Sequence, residues 1–540
     1  MPDHQYTPGR IQILVIAILA FLIPVFFIVF NILQQTGGVF SYPLDDSFIH
    51  LAMAKNLAFN HVWGVYDHEF VSASSSISYP LILAFIVTLF GAPVILPLVT
   101  NIFAAILLLV IIQKWLEEKE VKPFHQIIIL LAVILLTPLP VIVVCAMEDT
   151  IYLIFCFLFI THFSGRLDAL IKSGASKWKL HWPIYLYGAM VTATRFEGSI
   201  FIAMACMLLL LHKKWLLSFR LAILSMLPVL IFGIISLLHH NYFLPNSVLL
   251  KADGPTFTLV GIYQYFSDYW LYKLSFSAVG YNAIAPQRLL LFLPVAYLLF
   301  LATGKKEGSW RFMVLFLAAA LLAHISFARF ARFPRYEACI MGCSTAILGA
   351  LLSKNGMALL KRSSDEAKYA AITGICLLLF PLYMRSVGAF ENISQSCVNI
   401  YDQQYQMAIF LHRYYDSTTV AISDIGAVSY FTKSKKVDLT GLANIQVTRS
   451  RRDLTFTTDF ADRLTQQEKA QIAILYERYN DPVLLNKWQK IASWQIPNNI
   501  ICGDDLVTFY AIDKNIAPDL RKNLAKFQPS LPPGVTVEYF

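Results

Sequence analysis

The chain has 540 residues, of which 57% are hydrophobic and 14% charged, with a mean hydropathy of +0.59. A soluble domain averages about 45–50% apolar and about 25% charged residues, so a wholly water-soluble protein is excluded. The net charge of +9 implies no nucleic acid partner, because the basic residues gather in short loops between apolar runs, as the positive-inside rule expects.

The apolar runs are the length a helix needs to cross a hydrocarbon core of ~30 Å. The first, Ile11 to Leu33, is too long for a signal-peptide core and is followed by no small-residue cleavage site, so it is expected to be retained. Crossings are expected at 11–33, 94–112, 124–142, 150–165, 183–193, 199–212, 215–238, 287–303, 312–328, 338–352 and 369–386, about eleven in all. The loops at 113–123, 166–181, 213–220, 304–311 and 353–368 carry 17 of the 27 lysines and arginines in residues 1–386 and are assigned to the cytoplasm. The apolar stretch 77–91 is then a juxtamembrane or re-entrant helix. The short runs 183–193 and 199–212 form a broken hairpin, tolerated where protein covers it. The opposite, extracytoplasmic face collects 34–76, 143–149, 194–198, 239–286, 329–337 and everything after about Ser386. Two domains follow: a membrane body over 1–386, with its first outer loop at 34–76, and a soluble α/β domain over 387–540.

The first outer loop contains Pro43, then Asp45 and Asp46 at the start of an amphipathic helix, with His50 one turn after Asp46. An acidic pair there suits a helix start, where capping contributes about 0.5–2 kcal/mol. It also suits deprotonation of an acceptor hydroxyl, or Mg²⁺ or Mn²⁺ held at Asp46. Further along the same face stand Glu148 and Asp149, Arg195 and Glu197, His239 and His240, and Arg329, Arg332 and Arg335. Charges at membrane segments are costly and usually functional.

In the terminal domain Val420-Ala421-Ile422 and Val437-Asp438-Leu439 read as strands, 464–492 as helical, and Ile500-Ile501 with Val507–Tyr510 as further strands. Asp424, at a strand end, suits a turn former or a site residue. Six cysteines lie in or beside apolar segments, while Cys397 and Cys502 are expected to pair in an oxidising compartment.

Several motifs recur in a recognisable order: Asp45-Asp46-Ser47-Phe48-Ile49, Trp63-Gly64-Val65-Tyr66, Val71-Ser72-Ala73-Ser74-Ser75-Ser76, Ala146-Met147-Glu148-Asp149-Thr150 and Thr194-Arg195-Phe196-Glu197-Gly198. Tyr242-Phe243-Leu244-Pro245-Asn246-Ser247 with Lys251, then Arg335-Tyr336, Asp424-Ile425-Gly426-Ala427 and Asp438-Leu439-Thr440-Gly441 complete the series. This order resembles the GT-C fold glycosyltransferases, most closely the bacterial branch containing the mycobacterial terminal arabinofuranosyltransferases. Ala146 stands where that family usually has Gly, and Phe196 where it usually has Pro.

The resemblance implies a polytopic α-helical body with a C-terminal α/β domain, in a bacterial cytoplasmic membrane. It also implies transfer of a sugar, hexosyl or pentosyl, from a polyprenyl-phosphate donor to a cell-envelope glycan, lipid or protein on the outer face. Asp45 is favoured as base, with Asp46 as the alternative. Contacts to substrate or carrier phosphate are expected from His50, Glu148, Asp149, Arg195, Glu197, His240, Asn246, Lys251, Arg332, Arg335 and Tyr336. The competing functions are a surface-polysaccharide ligase or polymerase, which shares the lipid-linked substrate, and a lipid-linked-sugar transporter, for which inverted repeats are lacking.

Overall fold

A computed structural model describes residues 9–172, 178–251, 263–264, 267, 296, 308–327, 333–356 and 364–540. The chain opens on helix α1 (Arg10–Gln35), which buries Ile13, Ala17, Phe21, Val25, Ile28 and Ile32 and leaves Ile23, Phe26, Phe27 and Phe30 exposed. Spacings of three and four residues put the buried set on one stripe, and the large apolar side chains opposite are what a lipid-facing surface requires. Then come α2 (Asp45–Asn60), α3 (Ser78–Phe90), α4 (Leu96–Glu118), α5 (Pro123–Leu136), α6 (Leu139–Cys145) and α7 (Asp149–Lys172). α8 (Trp178–Thr194), α9 (Ser199–Leu211), α10 (Trp215–Leu238), α11 (Asn246–Lys251), α12 (Gly308–Phe327) and α13 (Ala338–Leu351) complete the body.

Among the described residues, four helices are long and apolar enough to cross a membrane: α1, α4, α7 and α10. The pair α5–α6, bent by 45°, makes a fifth. Pro138 and Pro140 sit at that bend, where each removes an N–H from the helical ladder. The segments expected at 199–212, 312–328 and 338–352 are shorter apolar helices, and 287–303 lies largely outside the described residues. The hairpin expected at 183–193 and 199–212 is α8 and α9, interrupted at Arg195–Gly198.

The expected boundary at Ser386 falls inside one long helix, α14 (Asp365–Ile400), which continues through a π-turn at Tyr401–Tyr405 into α15 (Gln406–Tyr414). Arg385 and Ser386 look like an exit from the membrane, yet both are buried. The Arg385 guanidinium lies 2.5 Å from Glu337, and the Ser386 hydroxyl donates to the Leu382 carbonyl one turn back at 3.3 Å. Polar groups satisfied in this way need not interrupt a helix.

The terminal domain is a six-stranded mixed sheet in the order β2-β1-β3-β5-β4-β6. Its strands are β1 (Val420–Ile422), β2 (Lys436–Asp438), β3 (Ile472–Leu475), β4 (Gln489–Gln495), β5 (Leu506–Ala511) and β6 (Thr536–Tyr539). β1 runs parallel to both neighbours, with Ala421 opposite Val437 and Ala473, and the remaining pairs are antiparallel. Between β1 and β2 lies a short helix, α16 (Gly426–Phe431), and after β2 comes α17 (Ile445–Arg452). Trp494, Phe410, Phe509 and Phe527, all fully buried, pack together on one side of the sheet.

Three expectations are corrected here. Residues 464–492 are not helical throughout: a helix ends at Gln467, and Ile472-Ala473-Ile474-Leu475 is a fully buried central strand. A short apolar run in a sheet core has no helix-versus-strand signature of its own. Ile500-Ile501 lies in a bend rather than a strand. The expected Cys397–Cys502 disulfide is also absent, both thiols being free. Cys502 Sγ meets Gln404 Oε1 at 3.3 Å, and Gln404 is seven residues beyond Cys397 along the same helical rod. That separation is about 10 Å of rise, beyond the ~7 Å that a disulfide spans.

Candidate functional site

At one end of the bundle α2 packs against α16 of the terminal domain. There Leu44 caps α2 in extended conformation, placing Asp45 and Asp46 in its first turn. Both side chains are half-buried. The Asp45 carboxylate accepts the backbone N–H of Gly426 at 2.5 Å and that of Ala427 at 2.8 Å. Burial pushes Asp45 up to about 8, with the Asp424 and Asp46 charges adding to the rise and the two amides opposing it. Asp46 turns the other way, 3.9 Å from Arg335 Nη2.

Behind the pair lies a buried ion cluster. Arg195 Nη1 donates to Asp149 at 2.7 Å and to Glu148 at 3.2 Å, and Nη2 reaches Glu197 at 3.2 Å. Glu148 also accepts from Ser75 Oγ at 2.9 Å, and its second oxygen lies 3.4 Å from His50 Nε2. These carboxylates are aimed by the backbone just before α7. Ser47 Oγ donates to the Cys145 carbonyl at 2.7 Å, and Tyr79 OH donates to the Ala146 carbonyl at 2.7 Å. Ala146 is left-handed, with φ 53° and ψ 38°, which costs an L-residue roughly 1–2 kcal/mol. This explains why Gly is usual there in the family the sequence resembles. Gly198 closes the turn that carries Arg195, since a Cβ there would lie 2.5 Å from the Val191 carbonyl oxygen.

Tyr336 joins the two halves of the site. Its ring holds the Arg195 guanidinium at 4.5 Å and that of Arg335 at 5.2 Å. Arg335 is only 5% exposed, and its Nε and Nη1 have no hydrogen-bond partner among the described residues. Two buried, unmatched donors on a permanent cation have the chemistry to pair with an anion.

The other expected residues fall further out. Asn246 donates its backbone N–H to Ser72 at 2.9 Å and its side-chain amide to the Leu442 carbonyl at 3.3 Å. His240 is left-handed at φ 59° and lends its carbonyl to Arg449 at 2.5 Å. Both therefore join the body to the terminal domain. Lys251 ends α11, but its side chain lies outside the described residues, as do Arg329 and Arg332. Four participants carried no signal in the sequence. Glu337 and Arg385 form a buried pair, and Gln404 and Tyr476 both donate to Asp424, Gln404 at 2.8 Å. A lone Gln and a lone Tyr in an amphipathic stretch read as ordinary surface or core.

No group of three or more His, Cys, Asp or Glu among the described residues could hold a metal ion. Asp45 gives both oxygens to amides, and Asp46 lies 3.9 Å from the Arg335 guanidinium.

A family model described as "Domain of unknown function (DUF8728)" matches residues 396–510. No curated protein matches the chain. Among solved structures, ArnT from Cupriavidus metallidurans bound to undecaprenyl phosphate superposes with a TM-score of 0.53 at 11% identity, covering 93% of this chain and 98% of that chain. The arabinofuranosyltransferase AftD from Mycobacteria gives a TM-score of 0.43 at 14% identity, over 94% of this chain and 42% of that chain. With ArnT matched over nearly its whole length, the chain has the GT-C fold.

Proposed function

We propose that this protein is an integral membrane glycosyltransferase that moves a sugar from a polyprenyl-phosphate donor to a hydroxyl-bearing acceptor. The observation that carries the reading is Arg335, a buried cation with two unmatched donors, 3.9 Å from Asp46 of the acidic pair on a GT-C scaffold. A solved relative in fold, ArnT, is bound to undecaprenyl phosphate. The acceptor hydroxyl gives its proton to Asp45, and its oxygen forms the new bond to the anomeric carbon. The bond from that carbon to the phosphate oxygen breaks, and the carrier departs as polyprenyl phosphate. Arg335 stabilises the charge that develops on the leaving phosphate, and Lys251 is the second cation that the sequence motif offers for the carrier. Asp46 orients Arg335, while Glu148, Asp149 and Glu197 hold Arg195 and, through Tyr336, the wall of the site. The reaction runs on the outer face of a bacterial cytoplasmic membrane, with a cell-envelope glycan, lipid or protein as acceptor.

The test is incubation of the purified protein with polyprenyl-phosphate pentoses and hexoses, measuring released polyprenyl phosphate. Release from at least one donor is expected, and release from none overturns the reading.

A further inference from the structure

We propose that the terminal domain completes the catalytic site, aiming the Asp45 carboxylate through the amides of Gly426 and Ala427 and setting Asp424 against it as a positioning residue. The inference rests on the glycosyltransferase reading for the role of Asp45, but its geometry stands apart from it.

The domain is fastened to the body around this point. Lys55 Nζ donates to the Tyr430 carbonyl at 3.2 Å, the Tyr430 hydroxyl donates to the Ala92 carbonyl, and Phe431 packs 5.8 Å from Phe48. Gly426 permits the approach: a Cβ there would lie 2.1 Å from the Asp45 backbone oxygen and 2.8 Å from its carboxyl carbon. Asp424 leaves the C-terminal end of β1, where β2 and β3 diverge to either side, the position at which open parallel sheets present functional groups. It is held there by Tyr476, just past the end of β3, and by Gln404 of the long rod.

The groups facing Asp45 are thus Asp46 on its own helix, and Asp424, Tyr476 and Cys502 from the terminal domain. Burial is the first cause that raises Asp45 to about 8, and the Asp424 charge adds to it, since two neighbouring carboxylates resist losing both protons. A base at that value suits proton abstraction near neutral pH. Docking of the domain therefore sets both the direction and the basicity of the base.

The experiment uses the full-length protein, with infrared difference titration of its protonated carboxyl groups alongside transfer assays. Wild type is expected to show a carboxyl C=O band that is lost in Asp45→Asn and titrates near 8. In Asp424→Asn that midpoint falls by about one pH unit or more, and the pH limb of kcat/KM moves down with it. In Gly426→Ala the band shifts in frequency, because the amides no longer reach the carboxyl, and kcat falls about 100-fold from misplacement of the base. An Asp45 band whose midpoint is unmoved in Asp424→Asn and whose frequency is unmoved in Gly426→Ala overturns the inference. Where no lipid-linked sugar is turned over, the functional reading fails, and the infrared result still decides whether the terminal domain governs Asp45.

Discussion

The guanidinium of Arg195 lies 2.7 Å from the carboxylate of Asp149, joining the break between α8 and α9 to the first residue of α7. Both side chains are almost wholly buried, and Glu148 shares the same nitrogen at 3.2 Å. One cation thus neutralises carboxylates that burial would otherwise make costly. Arg195→Ala is expected to destabilise the protein by about 3–5 kcal/mol, because it leaves buried charge unpaired. Equilibrium unfolding in mixed micelles measures the loss. Arg195→Lys recovers only part of it, since a single ammonium cannot reproduce the planar fork.

Asp45→Asn is expected to lower transfer by about 10²–10⁴ while leaving carrier binding intact, because asparagine keeps the size but takes no proton. The same variant has a signature in stability. With a native value of about 8 against an ordinary 3.8, the folded state holds a proton that the unfolded chain releases. That contribution is full below about pH 4 and is lost as pH rises through about 8. The wild-type melting midpoint should therefore decline across this window more steeply than that of Asp45→Asn.

Asp46→Asn and Lys251→Ala are expected to weaken carrier engagement, raising the apparent KM for the donor more than they lower kcat. Chelation with EDTA should leave the wild-type rate unchanged. A rate lost to EDTA and restored by Mn²⁺ would instead make Asp46 a metal ligand.

Orientation is tested by reporter fusions. Fusions at Lys177 and Lys306 are expected to report the cytoplasm, and fusions after Asp438 the outer side. A cytoplasmic terminal domain would remove the proposed reaction from the outer face.

Cys397 and Cys502 are free thiols. Denaturation without reductant should expose both to alkylation, read by mass spectrometry of the tryptic peptides.

The sequence alone was sufficient for the apolar helices, because a run of about twenty apolar residues has few other uses. It also carried the acidic pair at the start of α2 and the order of the motifs at 148, 195 and 335. What it could not carry was partnership. Only the tertiary structure brings Gly426 to Asp45, 381 positions away in the chain, or sets Tyr336 between Arg195 and Arg335. The long rod from Asp365 to Tyr414 was hidden for a related reason: Arg385 looks like an end of the membrane until Glu337 is seen beside it. The buried strand β3 was hidden as well, since its apolar run becomes a strand only through β1 and β5 on either side. Local pattern fixes which segments must be buried, whereas the contacts that give a polar residue its chemistry are set by packing between segments distant in the chain.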